Sequence, residues 1–104
     1  MQRLAFKMKL KKGQKEAYKK RHNELWPELK ALLKANGISE YSIFFDDETS
    51  TLFAFQKVSG ESGSQDLANN AIVKKWWNFM ADIMEVNPDN SPVSIPLEEV
   101  FYMK

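Results

Sequence analysis

Along residues 4–10, LAFKMKL, the large apolar side chains Leu4, Phe6, Met8 and Leu10 recur at every second position, with Ala5, Lys7 and Lys9 between them. That spacing predicts a half-buried strand, because successive side chains on a strand point to opposite faces. Past Gly13 the period changes. Tyr18, His22, Leu25, Leu29, Leu32 and Leu33 recur at intervals of three and four, which places them on one face of a helix running from about Gln14 to Asn36. Lys15, Lys19, Lys20, Glu24, Glu28, Lys30 and Lys34 fall on the other face, and Asn36-Gly37 supplies a stop with glycine in the left-handed cap position. Pro27 lies inside this helical pattern, where it lacks a backbone donor and crowds the turn before it. The helix is therefore expected to bend or break next to His22.

Two further strands are predicted at about Ser39 to Asp46 (SEYSIFFD) and about Thr51 to Val58 (TLFAFQKV), joined as a hairpin by the polar turn around Asp47-Glu48. On the first, Tyr41, Ile43 and Phe45 share one face, and Ser42, Phe44 and Asp46 the other. GESGSQ reads as a loop. A second helical region is expected from about Gln65 to Met84, in one or two pieces, with Leu67, Ala71, Trp76 or Trp77, Met80 and Met84 along its stripe. VNPDNSPVSIP is turn-rich, and EEVFYMK is expected to form the last strand. The order β-α-β-β-α-β predicts an α+β, ferredoxin-like sandwich, in which both helices cover one face of a four-stranded antiparallel sheet. All of residues 1–104 are assigned to one domain. The uncovered face would carry Phe44, Phe53 and Phe55, an apolar surface of the kind that marks an interface, so a homodimer is expected.

Composition narrows the classes. The chain has 104 residues, 43% hydrophobic and 28% charged, which suits one ordinary globular domain. It contains no cysteine, which excludes disulfides, thiolate metal sites and a cysteine nucleophile. With one histidine as well, a conventional zinc or transition-metal site is not expected. A formal net charge of +1 gives no drive toward nucleic acid or an anionic membrane. No stretch approaches a signal-peptide core or the ~20 apolar residues that a membrane span needs, so the expected compartment is the cytoplasm.

Few side chains are left to carry chemistry. His22 is the chain's single histidine, and Tyr18 precedes it by one turn on the same face, so two proton-handling groups project together. In KKWWNFM, Trp76 and Trp77 are neighbours about 100° apart on a helix, which predicts that one packs inside while the other lines an opening. Indole faces suit the C–H faces of sugar rings. Tyr41, at the start of its strand, is placed to reach a cleft between sheet and helix. There is no P-loop, dinucleotide fingerprint or G-x-S-x-G. This inventory suits proton transfer on a sugar-sized ligand without a cofactor.

RHNELWPEL, EYSIFFD, KKWWNFMADIM, NPDNSPV and EEVFY, in this order and spacing, resemble the L-rhamnose mutarotase family over essentially the whole chain, most weakly from about Ser59 to Val73. The resemblance implies a dimerising ferredoxin-like subunit that interconverts the α and β anomers of L-rhamnose. It implies His22 as proton donor and Tyr18, Tyr41, Trp76 and Trp77 as sugar-binding residues. In that chemistry His22 would protonate the ring oxygen, a tyrosine hydroxyl or a water would manage the anomeric proton, and a tryptophan would hold the 6-methyl edge. Rival readings are a cofactor-independent monooxygenase-like enzyme on the same scaffold, a non-catalytic sugar-binding dimer, and an RNA-recognition module. The third strand, STLFAFQKV, lacks the leading Lys-Gly of the motif that the last of these carries there.

Overall fold

The every-second-residue pattern of the first strand continues across the sheet. The structure, a computed structural model, describes residues 2–104. Within them run β1 (Gln2–Lys9), α1 (Lys15–Asn23), α2 (Pro27–Ala35), β2 (Ile38–Asp46), β3 (Thr51–Val58), α3 (Ala71–Met80) and β4 (Ser94–Leu97). The strands form one antiparallel sheet in the order β2-β3-β1-β4. Phe6 pairs with Ala54 and Met8 with Leu52, so the inward positions of β1 and β3 share a face. On that face they meet Tyr18, Leu29, Val73, Trp76, Trp77 and Met80 from the helices in one buried core. This is the expected α+β, ferredoxin-like sandwich.

Pro27 divides the first helical region. A residue before proline is pushed out of the helical region, and Trp26 is extended (φ −60°, ψ 129°). Pro27 then opens α2 at its first turn, where its missing N–H has no helical partner to lose. α2 ends as its sequence predicts: Gly37 has φ +78° and its N–H donates to Lys34 O at 3.0 Å. A β-bulge follows, with three steps on β2 (Ser39 to Ser42) opposite two on β3 (Lys57 to Phe55), and Glu40 takes φ 47°. The extra residue switches the phase of the strand. Ile38, before it, and Tyr41, Ile43 and Phe45, after it, can therefore all turn toward the helices.

Three boundary expectations are corrected. The helical region expected over residues 65–84 is a single 3-10 turn at Ser64–Asp66 followed by α3, capped by the Asn70 side chain accepting from the N–H groups of Ile72 and Val73. Its buried stripe is Val73, Trp76, Trp77 and Met80, whereas Ala71 is exposed and Leu67 and Met84 lie outside the helix. The last strand is Ser94–Leu97, which begins inside the segment read as turns and ends one residue past it, and residues 98–104 form no regular element. Pro96 obscured it, but β4 is an edge strand and an edge tolerates a missing donor. Gly37→Ala is expected to destabilise the fold by about 1–2 kcal/mol through its left-handed backbone, with added crowding against the Ser59 side chain. Urea unfolding at unchanged m-value checks this.

Candidate active site

α1 ends at Asn23, and its last turn is fastened to the end of α3. Arg21 Nη1 donates to Phe79 O and to Asp82 Oδ1, both at 2.8 Å, and the guanidinium lies over the Phe79 ring. The next residue, His22, is thereby set between two aromatics. Its imidazole stacks on the Tyr18 ring with centroids 4.2 Å apart, and meets Trp76 edge-on at 5.4 Å and 90°. Trp26, freed from the helix by Pro27, packs edge-on against Trp76 at 5.1 Å.

His22 Nδ1 lies 3.0 Å from Tyr18 O. A carbonyl oxygen only accepts, so this bond requires a proton on Nδ1 and leaves Nε2 as the nitrogen that exchanges protons. Burial lowers the His22 pKa from 6.5, opposed by the bond to the Tyr18 carbonyl. Burial pushes the Tyr18 phenol well above its ordinary range, and the Tyr41 hydroxyl is also raised by burial, against a lowering hydrogen bond from Ser64. All three groups are thus held toward their neutral forms.

The five side chains singled out from the sequence line one cleft of about 810 Å³ between the sheet and the helices: Tyr18, His22, Tyr41, Trp76 and Trp77. The expected division of labour between the tryptophans is corrected. Both are buried (Trp76 8% exposed, Trp77 6%), and both belong to the core and to the cleft wall. Other lining residues were not anticipated. Ser64 and Gln65 reach the cleft from the loop after β3, a segment without any periodic pattern to mark it. Lys19, Lys30, Lys34 and Glu40, all exposed, stand at its rim.

A ferredoxin-like fold whose cleft joins one half-buried histidine to two phenols and two indoles defines a class of small proteins equipped for acid–base chemistry on an uncharged, ring-shaped ligand. The comparisons place the chain within that class. The L-rhamnose mutarotase family model matches residues 3–103. An L-rhamnose mutarotase of Formosa agariphila is 83% identical over 104 residues, covering 100% of each chain, and one of Bacteroides thetaiotaomicron is 69% identical over 103 residues, covering 99% of each. The crystal structure of L-rhamnose mutarotase from Formosa agariphila superposes with a TM-score of 0.94 at 79% identity, covering 100% of both chains. The chain belongs to the L-rhamnose mutarotase family.

The lowered His22 pKa has a stability consequence. Between its folded value and 6.5 the unfolded chain binds more protons than the folded one, so the contribution is fully present above pH 6.5 and is lost as pH falls through the folded value. Melting temperatures of wild type and His22→Gln across pH 7.5 to 4.5 check this. The wild-type curve is expected to fall more steeply below pH ~6.5, and parallel curves would refute it.

Proposed function

We propose that His22 is the proton carrier with which this chain interconverts the α and β anomers of L-rhamnose, and that Tyr18, Tyr41, Trp76 and Trp77 hold the sugar. The observation that carries this assignment is the bond from His22 Nδ1 to the Tyr18 carbonyl, which commits Nε2 to proton exchange in a cleft those same residues line. Protonated Nε2 donates to the pyranose ring oxygen as the anomeric hydroxyl loses its proton, and the C1–O5 bond opens to the free aldehyde. The aldehyde turns about C1–C2. The ring then recloses with the opposite configuration: the O5 proton returns to the imidazole, and the new anomeric hydroxyl takes back a proton from the water that received it. Burial makes the imidazolium a stronger acid than free histidine. The tyrosines, held neutral, act as hydrogen-bond donors, which leaves water to take the anomeric proton. The indoles cover the apolar edge of the sugar, its 6-methyl group included.

The protein is read as a single-domain, cytoplasmic enzyme acting as a homodimer, with neither nucleic acid nor membrane as partner. Among the described residues no helix is long and apolar enough to cross a membrane. The dimer reading is supported by the sheet face away from the helices. Phe44 (63% exposed) and Phe55 pack edge-on there at 5.8 Å, and Ile95 and Leu97 extend the apolar surface along β4. Lys7 interrupts this surface between Phe53 and Ile95, but Ala5 joins Phe55 to Leu97 across β1, and an exposed apolar patch of this kind favours association with a matching face.

Exchange NMR on the anomeric protons of L-rhamnose tests the assignment. His22→Ala is expected to lose roughly 10²- to 10⁴-fold of the catalysed rate while remaining folded. The wild-type rate is expected to fall as pH rises through the lowered His22 pKa. A rate that climbed over that range would instead make neutral His22 the base. Sedimentation velocity of Phe44→Glu is expected to show monomer where wild type shows dimer, and wild-type monomer throughout would remove the dimer reading.

A further inference from the structure

Gln56 lies on the inward face of β3 among Leu52, Ala54 and Val58, a polar residue only 2% exposed in an otherwise apolar row. Its amide orientation follows from chemistry. Oε1 accepts from the backbone N–H of Ser64 at 2.8 Å, so that atom is the oxygen, and the other, Nε2, donates to Ser64 Oγ at 2.9 Å. Gln65 Nε2 donates to the same hydroxyl oxygen at 3.3 Å. Both acceptor positions of Ser64 Oγ are then occupied, and its proton goes to Tyr41 Oη at 3.4 Å. Tyr41 Oη, accepting there, keeps its own proton for a different partner. The loop can press so close because residue 63 is glycine: a Cβ there would lie 2.5 Å from Gln56 Oε1. Tyr41, Ser64 and Gln65 line the cleft that holds His22.

We propose that Gln56 and Ser64 are positioning residues for the sugar site: their one-way chain of hydrogen bonds, Gln56 to Ser64 to Tyr41, fixes the Tyr41 hydroxyl as a donor to a sugar oxygen. This rests on the assignment of Tyr41 to the sugar site made above. Burial of Tyr41 keeps the phenol protonated, as a donor must be. The chain of bonds sets which ligand atom Tyr41 recognises, an oxygen with a free lone pair, and spares the hydroxyl from turning between donor and acceptor roles. It contributes to binding the ground and transition states alike, so it acts on KM.

The test is a double-mutant cycle between Ser64 and Tyr41, followed by exchange NMR with L-rhamnose. Ser64→Ala is expected to raise KM about three- to tenfold with kcat little changed, the size of one neutral hydrogen bond. In a Tyr41→Phe background the same substitution is expected to add nothing, and Ser64→Thr, which keeps the hydroxyl, is expected to restore KM. An unchanged KM for Ser64→Ala, or an equal loss in the Tyr41→Phe background, would overturn the relay. If wild type leaves L-rhamnose exchange at its buffer rate, the functional reading itself has failed. The relay is then decided on the free protein labelled with [¹³Cζ]tyrosine: the Tyr41 resonance is expected to move in Ser64→Ala and to return in Ser64→Thr, and a resonance unmoved in both overturns it.

Discussion

The geometry of the cleft depends on one constraint, the inability of Pro27 to continue a helix. A single helix from Lys15 to Ala35 would carry His22, Leu25 and Leu29 along one straight stripe against the sheet. Instead, Trp26 is forced into an extended conformation, and α1 ends one residue after His22. The gap lets the Trp26 indole leave the helical path and wedge against Trp76 and Phe79. α2 can then pack its own apolar face, including the buried Leu29, against the core. His22 is left in the last turn of a short helix, beside the opening rather than beneath a continuous cylinder.

The surroundings of His22 favour rigidity over charge. Tyr18 stacks on one face of the imidazole, the Trp76 edge confronts it from another direction, and the Tyr18 carbonyl holds Nδ1. The neighbouring Arg21 carries the obvious positive charge, but it is engaged with Asp82 and with the carbonyl of Phe79. The exposed lysines and Glu40 are kept to the rim. On the proposed reading the ligand is a neutral sugar with no charge to pair, so a cleft of apolar walls, hydroxyls and one exchangeable nitrogen loses little by excluding ions, and burial strengthens each hydrogen bond it makes.

Much of this was legible in the chain. The alternation in β1, the stripe from Tyr18 to Leu33, the Asn36-Gly37 stop and the polar turn between β2 and β3 each act over a few residues, and the fold kept them. The errors lie where longer-range packing decides. The Asn87-Pro88 and Ser91-Pro92 steps mark residues 86–96 as turns, yet pairing with β1 makes a strand of Ser94–Leu97 at the edge of the sheet. The apolar tail, residues 98–104, looked like a strand and found no neighbouring strand to pair with among the described residues. The adjacent tryptophans, expected to separate into core and rim, are both buried and both line the cleft.

What the sequence determined by itself was the identity of the chemical groups and the faces on which local periodicity sets them: one histidine, a tyrosine one turn before it, an indole pair, and a proline to end the helix. Hydrogen-bond direction was decided only by the tertiary structure. Which nitrogen of His22 titrates depends on a carbonyl 3.0 Å away, and the role of the Tyr41 hydroxyl depends on Gln56, Ser64 and Gln65. A polar residue at an inward strand position, as Gln56 is, announces that a buried partner must exist. It cannot say which one, because the partner comes from a loop without periodicity, brought into reach only when β3 and the 3-10 turn fold against each other.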